Sequence, residues 1–463
     1  MPKSACRSYN GIMIKDTYAR AHFIGIGGVS LSSLAVYLVK QGVEVTGSDR
    51  CFSDKLTFLN EHGCKVWVGS DVTAIKNPDV VIYSSAIPES DEELIFCRKN
   101  GFFCLERNAF LNILCDDFDY CVAVGGTHGK TTVTAMLIKI FAEAKKSFFG
   151  HVGGETEEYG NCYYSGNEYL ITEASEYRKS MLCLKPEISV VLNAEFDHPD
   201  TYGSLEEVFS AFKDFLQSAI DNKGLALTNG DCRFYDYVKS VPSVVTFGLN
   251  ERNRFRATDI YEYKKGYLGF LIKDYGNLIG NIRLKIPGEH NVTDALAAFA
   301  TAYLVGIPCG VINSALNSFT GVKRRFEFVC KYFGCDVYTD YAHHPREIAA
   351  AIRTAKTISD GKTVVVFQPH TYSRTEKLFD EFTRCFSEAD KVVIFKEYAA
   401  RETPDKGKSA LRLYAALPAE NKYYCDNIIS AAKLISELAA PPDTVLILGA
   451  GDIIILCGVI KSE

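Results

Sequence analysis

Val124-Gly125-Gly126-Thr127-His128-Gly129-Lys130-Thr131-Thr132 decides how the rest of this chain reads. An apolar run, Tyr120 to Val124, leads into it, and an amphipathic stretch, Ala135 to Ala142, follows, so the segment is a strand, a Gly-rich turn and a helix. Gly129-Lys130-Thr131 has the composition of the end of a phosphate-binding loop. Backbone N–H groups surround a β-phosphate, a lysine reaches the β/γ oxygens, and a threonine hydroxyl serves Mg²⁺. The general GxxxxGK spacing would put a glycine at position 124, where valine stands, so the loop is a tighter variant. ATP is the expected ligand, held by Gly126, Thr127, His128, Gly129, Lys130, Thr131 and Thr132.

Downstream, Thr172-Glu173-Ala174-Ser175-Glu176 ends a strand, Tyr169 to Ile171, and Asn193-Ala194-Glu195-Phe196-Asp197-His198 ends another, Ser189 to Leu192. In a parallel sheet, strand C-termini share the edge that carries the phosphate loop. A single carboxylate is more often a helix N-cap or a solvated group. Two acidic segments at strand ends beside a phosphate loop instead suit a hard cation that neutralises a transferring γ-phosphate. Upstream, Gly25-Ile26-Gly27-Gly28-Val29-Ser30 also lies between a strand and a helix, and Asp49 ends the next strand. That pattern cradles an anion at a helix N-terminus and predicts a nucleotide or nucleotide-sugar ligand; NAD is one member of that class.

The strand and helix pattern restarts along the chain, which predicts an α/β fold in three domains. Residues 1–118 read as an N-terminal Rossmann-like domain, with strands at Ala21 to Ile26, Val43 to Thr46, Val80 to Tyr83 and Phe102 to Leu105. Residues 119–322 read as a central P-loop ATPase with a parallel sheet, a small antiparallel meander at Arg254 to Ile286, and helices at Val292 to Val305 and Val311 to Phe319. Residues 323–463 read as a C-terminal Rossmann-like domain with strands at Thr363 to Phe367, Lys391 to Phe395 and Thr444 to Leu448. A length of 463 residues suits about three domains, each with its own core. Phe58, Leu59, Phe209, Phe212, Phe215 and Leu216 fall at helical spacing and are assigned to the core.

With 51 Lys+Arg against 57 Asp+Glu, the net charge of -6 offers no electrostatic reason for nucleic acid or an anionic membrane as partner. No apolar run spans a bilayer and the first residues lack an apolar leader, so a cytoplasmic protein is expected, as a monomer or dimer. The 16 cysteines include no CxxC, and Cys330 and Cys335 have no second pair or histidine near enough to complete a zinc pattern. Cys121, Cys183, Cys309 and Cys457 fall in apolar runs, where a thiol acts as a small hydrophobe.

The succession GTHGKTT, EASEYRKS, LNAEFDHPDTY, PGEHNVTDALAAF, GVKRRFEF and DYAHHPRE resembles the Mur ligases, the ATP-dependent amide-bond ligases of peptidoglycan precursor synthesis. GIGGVS, DYAHHPRE, QPHTYSR and the terminal LGAGDI resemble the branch that joins L-alanine to UDP-N-acetylmuramate. The resemblance runs from about residue 20 to residue 455. It implies a UDP-sugar domain, an ATPase and an amino-acid domain that close before chemistry.

Carried over residue by residue, Lys130 holds the β/γ-phosphates, Thr131 the first Mg²⁺ (or Mn²⁺), and Glu176 a bridging position with His198 on the second. His290 and Asn291 are implied near the adenine, Asp340 at the ribose, and Arg325 at the phosphates as a fourth catalytic group beside Lys130, Glu176 and His198. Gly25, Gly27, Gly28, Val29, Ser30, Asp49, Ser84, Ser85 and Arg107 are implied at the UDP-sugar, and Tyr341, His343, His370 and Arg374 at the amino acid. Asp294 stands where the family often has a second Asn, and Thr371 where many members have Arg, which places more carboxylate recognition on Arg374. Lys213 occupies the place of a carbamylated lysine in related ligases and is read as an ordinary helix lysine.

Plainer readings stand beside these. Lys323-Arg324-Arg325 is compatible with a solvated patch, His343-His344 with a surface pair, and Arg374 with a helix ion pair to Glu376 or Asp380. The rival functions are a ligase adding a pre-formed peptide to the same sugar, a nicotinamide-dependent oxidoreductase built on GIGGVS and Asp49, and a non-catalytic ATP-binding regulator.

Overall fold

The computed structural model describes residues 14–198, 201–400, 402, 409–418 and 420–462. Pro199 and Asp200 of the motif LNAEFDHPDTY and the N-terminal leader reading lie outside them. The described chain divides into two compact units, one running to Arg256 and rejoined by Leu296–Ala315, the other formed by Ala257–Ala295 and the chain from Leu316 onward.

The first unit contains two sheets. In the first sheet β1 (Arg20–Ile24), β2 (Glu44–Asp49), β3 (Lys65–Val68), β4 (Val80–Tyr83) and β5 (Cys104–Glu106) lie in the order β3-β2-β1-β4-β5, every pair parallel. β1 beyond Arg20 and β4 up to Ile82 are buried on both faces, His22 included, because helices cover both sides. The second sheet is built from β6 (Tyr120–Gly125), β7 (Phe148–Thr156), β8 (Gly160–Tyr164), β9 (Tyr169–Ala174), β10 (Ile188–Val191), β11 (Leu225–Asn229) and β12 (Val244–Gly248). Their order is β12-β11-β10-β6-β9-β7-β8, with β8 the antiparallel edge. β6 pairs in parallel with both β9 and β10, so the phosphate loop and the two acidic segments leave the same sheet edge.

The β7–β8 hairpin was not foreseen in the sequence, and it explains why the two sheets form one unit. The helix Val29–Lys40 is buried at Leu31 through Leu38. One face packs on its own sheet and the other on this hairpin. Tyr37 stacks on Phe149 at 4.6 Å and meets the edge of Tyr164 at 5.5 Å. Asn161 donates to the Val29 carbonyl at 2.5 Å and to Ser32 Oγ at 3.0 Å. A single apolar core runs through both sheets.

In the second unit, β13 (Phe255–Lys264), which begins in the first, is followed by β14 (Tyr267–Asp274) and β15 (Asn277–Arg283), an antiparallel hairpin. β16 (Glu327–Tyr332), β17 (Cys335–Asp340), β18 (Thr363–Phe367), β19 (Lys391–Phe395), β20 (Lys422–Cys425) and β21 (Thr444–Leu448) form a sheet in the order β16-β17-β21-β18-β19-β20. Only β16 is antiparallel there. β13 to β15 are the small antiparallel meander expected at Arg254 to Ile286, and β13 continues the sheet of the phosphate loop by pairing with β12 at Phe247–Phe255 and Gly248–Arg256. Lys265 donates to the Ser359 carbonyl at 2.7 Å and pairs with Asp360.

Two expectations are corrected. Phe58 is exposed and lies against the His62 ring at 4.0 Å, because it points off the face that buries Leu59. Cys183 is exposed at the end of a 3₁₀ turn, although Cys121 and Cys457 are buried as expected and Cys309 is half-buried. Each cysteine among the described residues is a free thiol.

Candidate active site

The phosphate loop takes its shape from two glycines and one asparagine. Gly129 caps the helix Lys130–Glu143 at φ 85°, a conformation a Cβ would strain. Gly126 has φ 147°, and a Cβ there would meet Leu192 at 3.1 Å. Asn193, at the end of β10, accepts the His128 N–H at 2.8 Å and donates to the His128 carbonyl at 3.1 Å. The Thr127 hydroxyl accepts the Glu195 N–H at 2.9 Å. The loop is thereby laced to the strand that carries the second acidic segment, and His128 Nε2 lies 3.4 Å from Glu195.

Lys130 turns its ammonium back across the loop. It donates to the Gly126 carbonyl, to the Thr127 carbonyl at 3.1 Å, and to Glu176, with Nζ 2.9 Å from Oε2. Glu176 is buried together with Asp197, and His198 Nε2 lies 3.5 Å from Glu176 Oε1 and 3.7 Å from Asp197 Oδ2. Burial alone would raise the Glu176 pKa, but Lys130 and His198 outweigh it and hold the carboxyl below its ordinary value. His198 adopts φ 54°, and Tyr202 donates to the Glu176 carbonyl at 2.8 Å. Thr131 Oγ1 donates to Glu173 at 3.2 Å, and the other Glu173 oxygen accepts the Gly153 N–H at 2.6 Å. Thr132 is buried in the first turn of the same helix.

Glu176, Asp197 and His198 offer ligand atoms within 4.8 Å of one another. Carboxylate oxygens with one imidazole, next to a threonine hydroxyl held by a further carboxylate, fit a hard divalent cation. Glu173 and Asp197 were not singled out in the sequence as ligand candidates. The available signal was their place in the two acidic segments at the ends of parallel strands.

In the first sheet, Gly25 has φ 81° and the Gly25 and Ile26 N–H groups donate to the Ser48 carbonyl. Asp49 accepts the Gly27 N–H at 2.9 Å, so the carboxylate closes this loop on itself. A Cβ on Gly27 would meet that carboxylate at 2.9 Å. Gly28 caps the helix that starts at Val29. Ser84 and Ser85 follow β4 at the same edge, where Ser84 Oγ accepts the Ala86 N–H at 3.2 Å. Arg107 opens the next helix and donates to Ser30 Oγ at 3.1 Å. Ser30 Oγ also lies 2.7 Å from Nε2 of His151 on β7, a residue the sequence reading passed over.

In the second unit, Gln368 is fully buried, receives the Ile453 N–H at 3.0 Å and donates to Asp452 at 2.6 Å, which joins QPHTYSR to LGAGDI. His370 packs on Tyr398 and His343, both at 5.7 Å, and Arg374 Nη1 lies 3.3 Å from His370 Nδ1. Burial, with His343 and Arg374 alongside, pushes the His370 imidazole down to about 3. Glu376, on the helix of Arg374, pairs with Arg412. Tyr341 meets the edge of His343, and the Arg324 and Arg325 guanidinium groups lie over Tyr341 at 4.8 and 5.5 Å.

Asp340 accepts the Phe326 and Ala342 N–H groups, each at 2.7 Å, and burial, opposed by Arg325, raises its carboxyl to about 6. His344 is no surface residue; it caps the helix Pro345–Ile358. Asn291 donates to the Pro287 carbonyl at 2.7 Å, and His290 lies against Gly288. In the first unit, Lys213 lies over the Tyr237 ring at 5.7 Å. No helix among the described residues is long and apolar enough to cross a membrane.

Comparison with known proteins identifies one family along the chain. Residues 20–119 match the Mur ligase family catalytic domain, 124–302 the Mur ligase middle domain, and 324–451 the glutamate ligase domain of Mur ligases. The UDP-N-acetylmuramate--L-alanine ligase of Acetivibrio thermocellus is 36% identical over 96% of this chain and 95% of its own. That of Clostridium acetobutylicum is 38% identical over 95% of this chain and 96% of its own. The crystal structure of UDP-N-acetylmuramate-alanine ligase MurC from Thermotoga maritima superposes with a TM-score of 0.81 at 25% identity, covering 96% of this chain and 98% of its own. A murein peptide ligase from Psychrobacter arcticus shares the fold, with a TM-score of 0.72 at 21% identity over 96% of this chain and 98% of its own. Likeness of this depth over nearly the whole length leaves the nicotinamide reading of GIGGVS without support, and the chain belongs to the Mur ligase family.

Proposed function

We propose that this chain joins L-alanine to the lactyl carboxylate of UDP-N-acetylmuramate at the expense of ATP, releasing ADP and phosphate. The observation that carries the reading is the convergence of Lys130 with Glu176, His198 and Asp197 on the edge that also holds Thr131 and Glu173. The choice of substrates is supported by relatives of that activity at 36 and 38% identity.

A carboxylate resists amine attack because oxide is a poor leaving group. A lactyl oxygen therefore attacks the γ-phosphorus in line, the bond to ADP breaks, and an acyl phosphate forms. The L-alanine nitrogen then attacks the acyl carbon, and inorganic phosphate leaves with the bonding pair. Lys130 supplies positive charge to the transferring phosphoryl group, and the Gly126 to Thr132 backbone orients it. Thr131, Glu173, Glu176, Asp197 and His198 are the residues that would hold Mg²⁺, or Mn²⁺ in its place. A cation bound there neutralises phosphate charge. Tyr341, His343, His370 and Arg374 form the amino-acid pocket, with Arg374 facing the carboxylate.

The test is phosphate release with ATP, UDP-N-acetylmuramate and each of L-alanine, L-serine, glycine and a pre-formed tripeptide. Turnover fastest with L-alanine supports the reading; turnover with the tripeptide alone replaces it with peptide addition.

A further inference from the structure

His151 lies between two parts of the first unit that the sequence treats as separate domains. Its Nε2 is 2.7 Å from Ser30 Oγ in the nucleotide-sugar loop, and its Nδ1 is 2.9 Å from Thr172 Oγ1 on β9. The ring is buried. Thr172 directly precedes Glu173, the carboxylate that holds Thr131.

The direction of each hydrogen bond follows from Thr172, whose single hydroxyl proton goes to the Glu173 carbonyl at 3.3 Å, so that its oxygen accepts from His151 Nδ1. The ring proton is therefore on Nδ1, and the bare Nε2 accepts the Ser30 hydroxyl proton, while Arg107 Nη1 donates to Ser30 Oγ at 3.1 Å. Burial, with Arg107 alongside, pushes the imidazole down to about 3, which keeps this neutral tautomer at working pH. The row runs in one sense from guanidinium to β9 without a conflicting proton.

Arg107 ends that row with unspent capacity. Its hydrogen bonds among the described residues go to Ser30 and Asn108, and no carboxylate pairs with it. Burial lowers its pKa, against the distant pull of Glu173 and Glu106. A half-buried guanidinium so placed, beside a Gly-rich helix start, is a counter-charge for an anionic group.

We propose that His151 is a positioning residue for the sugar nucleotide: anchored to β9 through Thr172, it fixes the Ser30 hydroxyl and, through it, the Arg107 guanidinium that receives an anionic group of the substrate. The proposal rests on the function proposed above for the identity of that substrate, and it assigns to Ser30 a supporting role in place of direct ligand contact. Without the anchor, Arg107 is free to leave its binding orientation, so substrate capture weakens while the phosphate loop stays as it is.

The experiment compares KM and kcat for UDP-N-acetylmuramate, L-alanine and ATP in the full-length wild type, His151→Phe, His151→Gln, Ser30→Ala and the double variant. His151→Phe keeps a ring but removes both bonds, and is expected to raise KM for the sugar nucleotide about tenfold, with the other KM values within about twofold. His151→Gln, which restores an acceptor and a donor, recovers part of the loss. Ser30→Ala gives the same rise, and the double variant is no worse than either single one. An unchanged sugar-nucleotide KM in His151→Phe, an equal rise for ATP, or additive effects in the double variant overturns the proposal. If His151→Phe fails to fold, as judged by thermal melting, an unchanged KM in Ser30→Ala overturns it. Calorimetry with UDP-N-acetylmuramate separates the two readings. A wild type that binds it without turnover refutes the ligase reading alone, and His151 is then judged by the same tenfold change in dissociation constant. A wild type that does not bind it refutes both.

Discussion

Lys130 and Glu176 form an ion pair of 2.9 Å within the phosphate loop's reach, at side-chain exposures of 16% and 5%. Lys130→Ala removes the charge that balances the transferring phosphoryl group while leaving the loop backbone intact. The expected result is a fall in kcat of about 10²- to 10³-fold or more, measured as ADP release at saturating substrates. Near-normal turnover would refute the assignment of this loop to phosphate.

Thr131 and Glu173 lie 3.2 Å apart, and Glu173 is held in turn by the Gly153 N–H. Thr131→Val and Glu173→Gln are expected to raise the Mg²⁺ concentration for half-maximal activity about tenfold. A titration of activity against free Mg²⁺ at saturating ATP reads this directly. An unchanged midpoint in both variants would remove the pair from the metal site.

Arg374 Nη1 lies 3.3 Å from His370 Nδ1, and Glu376 on the same helix pairs with Arg412. Arg374→Ala is expected to raise KM for L-alanine by about 10- to 100-fold, with KM for ATP changed by less than about threefold. Equal effects on both constants would make Arg374 a structural residue.

His370 and His151 are each pushed down to about 3 in the folded protein, against about 6.5 in an unfolded chain. As pH falls below 6.5, the unfolded chain takes up protons first. The stability each neutral histidine provides is complete above pH 6.5 and is lost as pH falls toward 3, by at most about 1.4 kcal/mol per pH unit. Thermal melting at pH 7.5, 6.0 and 5.0 is expected to show His370→Gln losing less of its Tm across this range than the wild type. Parallel losses would place His370 in contact with water.

The phosphate loop was legible because its requirements are local: a glycine at left-handed φ, a lysine beside it and a buried strand before it occupy consecutive positions. The strands Val80–Tyr83, Thr363–Phe367, Lys391–Phe395 and Thr444–Leu448 match their sequence readings because short β-branched runs between turns have few alternatives. Asp197 and Glu173 were harder, since one carboxylate in an acidic segment looks like the next until a sheet register aligns them. Phe58 was misjudged because helical spacing identifies a face only to within one residue of its edge.

By itself the sequence determined the α/β class, the order of motifs and the edge on which phosphate and acidic groups meet, because all of these follow from short-range pattern and the polarity of parallel strands. Only the tertiary structure decided which partners those groups take. The β7–β8 hairpin packs on the helix Val29–Lys40 and places His151 against Ser30, 121 residues away in sequence. The turn after β13 likewise finds partners far along the chain, where Lys265 meets Ser359 and Asp360 across 94 and 95 residues. Contacts of that separation depend on how whole layers pack, and no local period in the sequence encodes them.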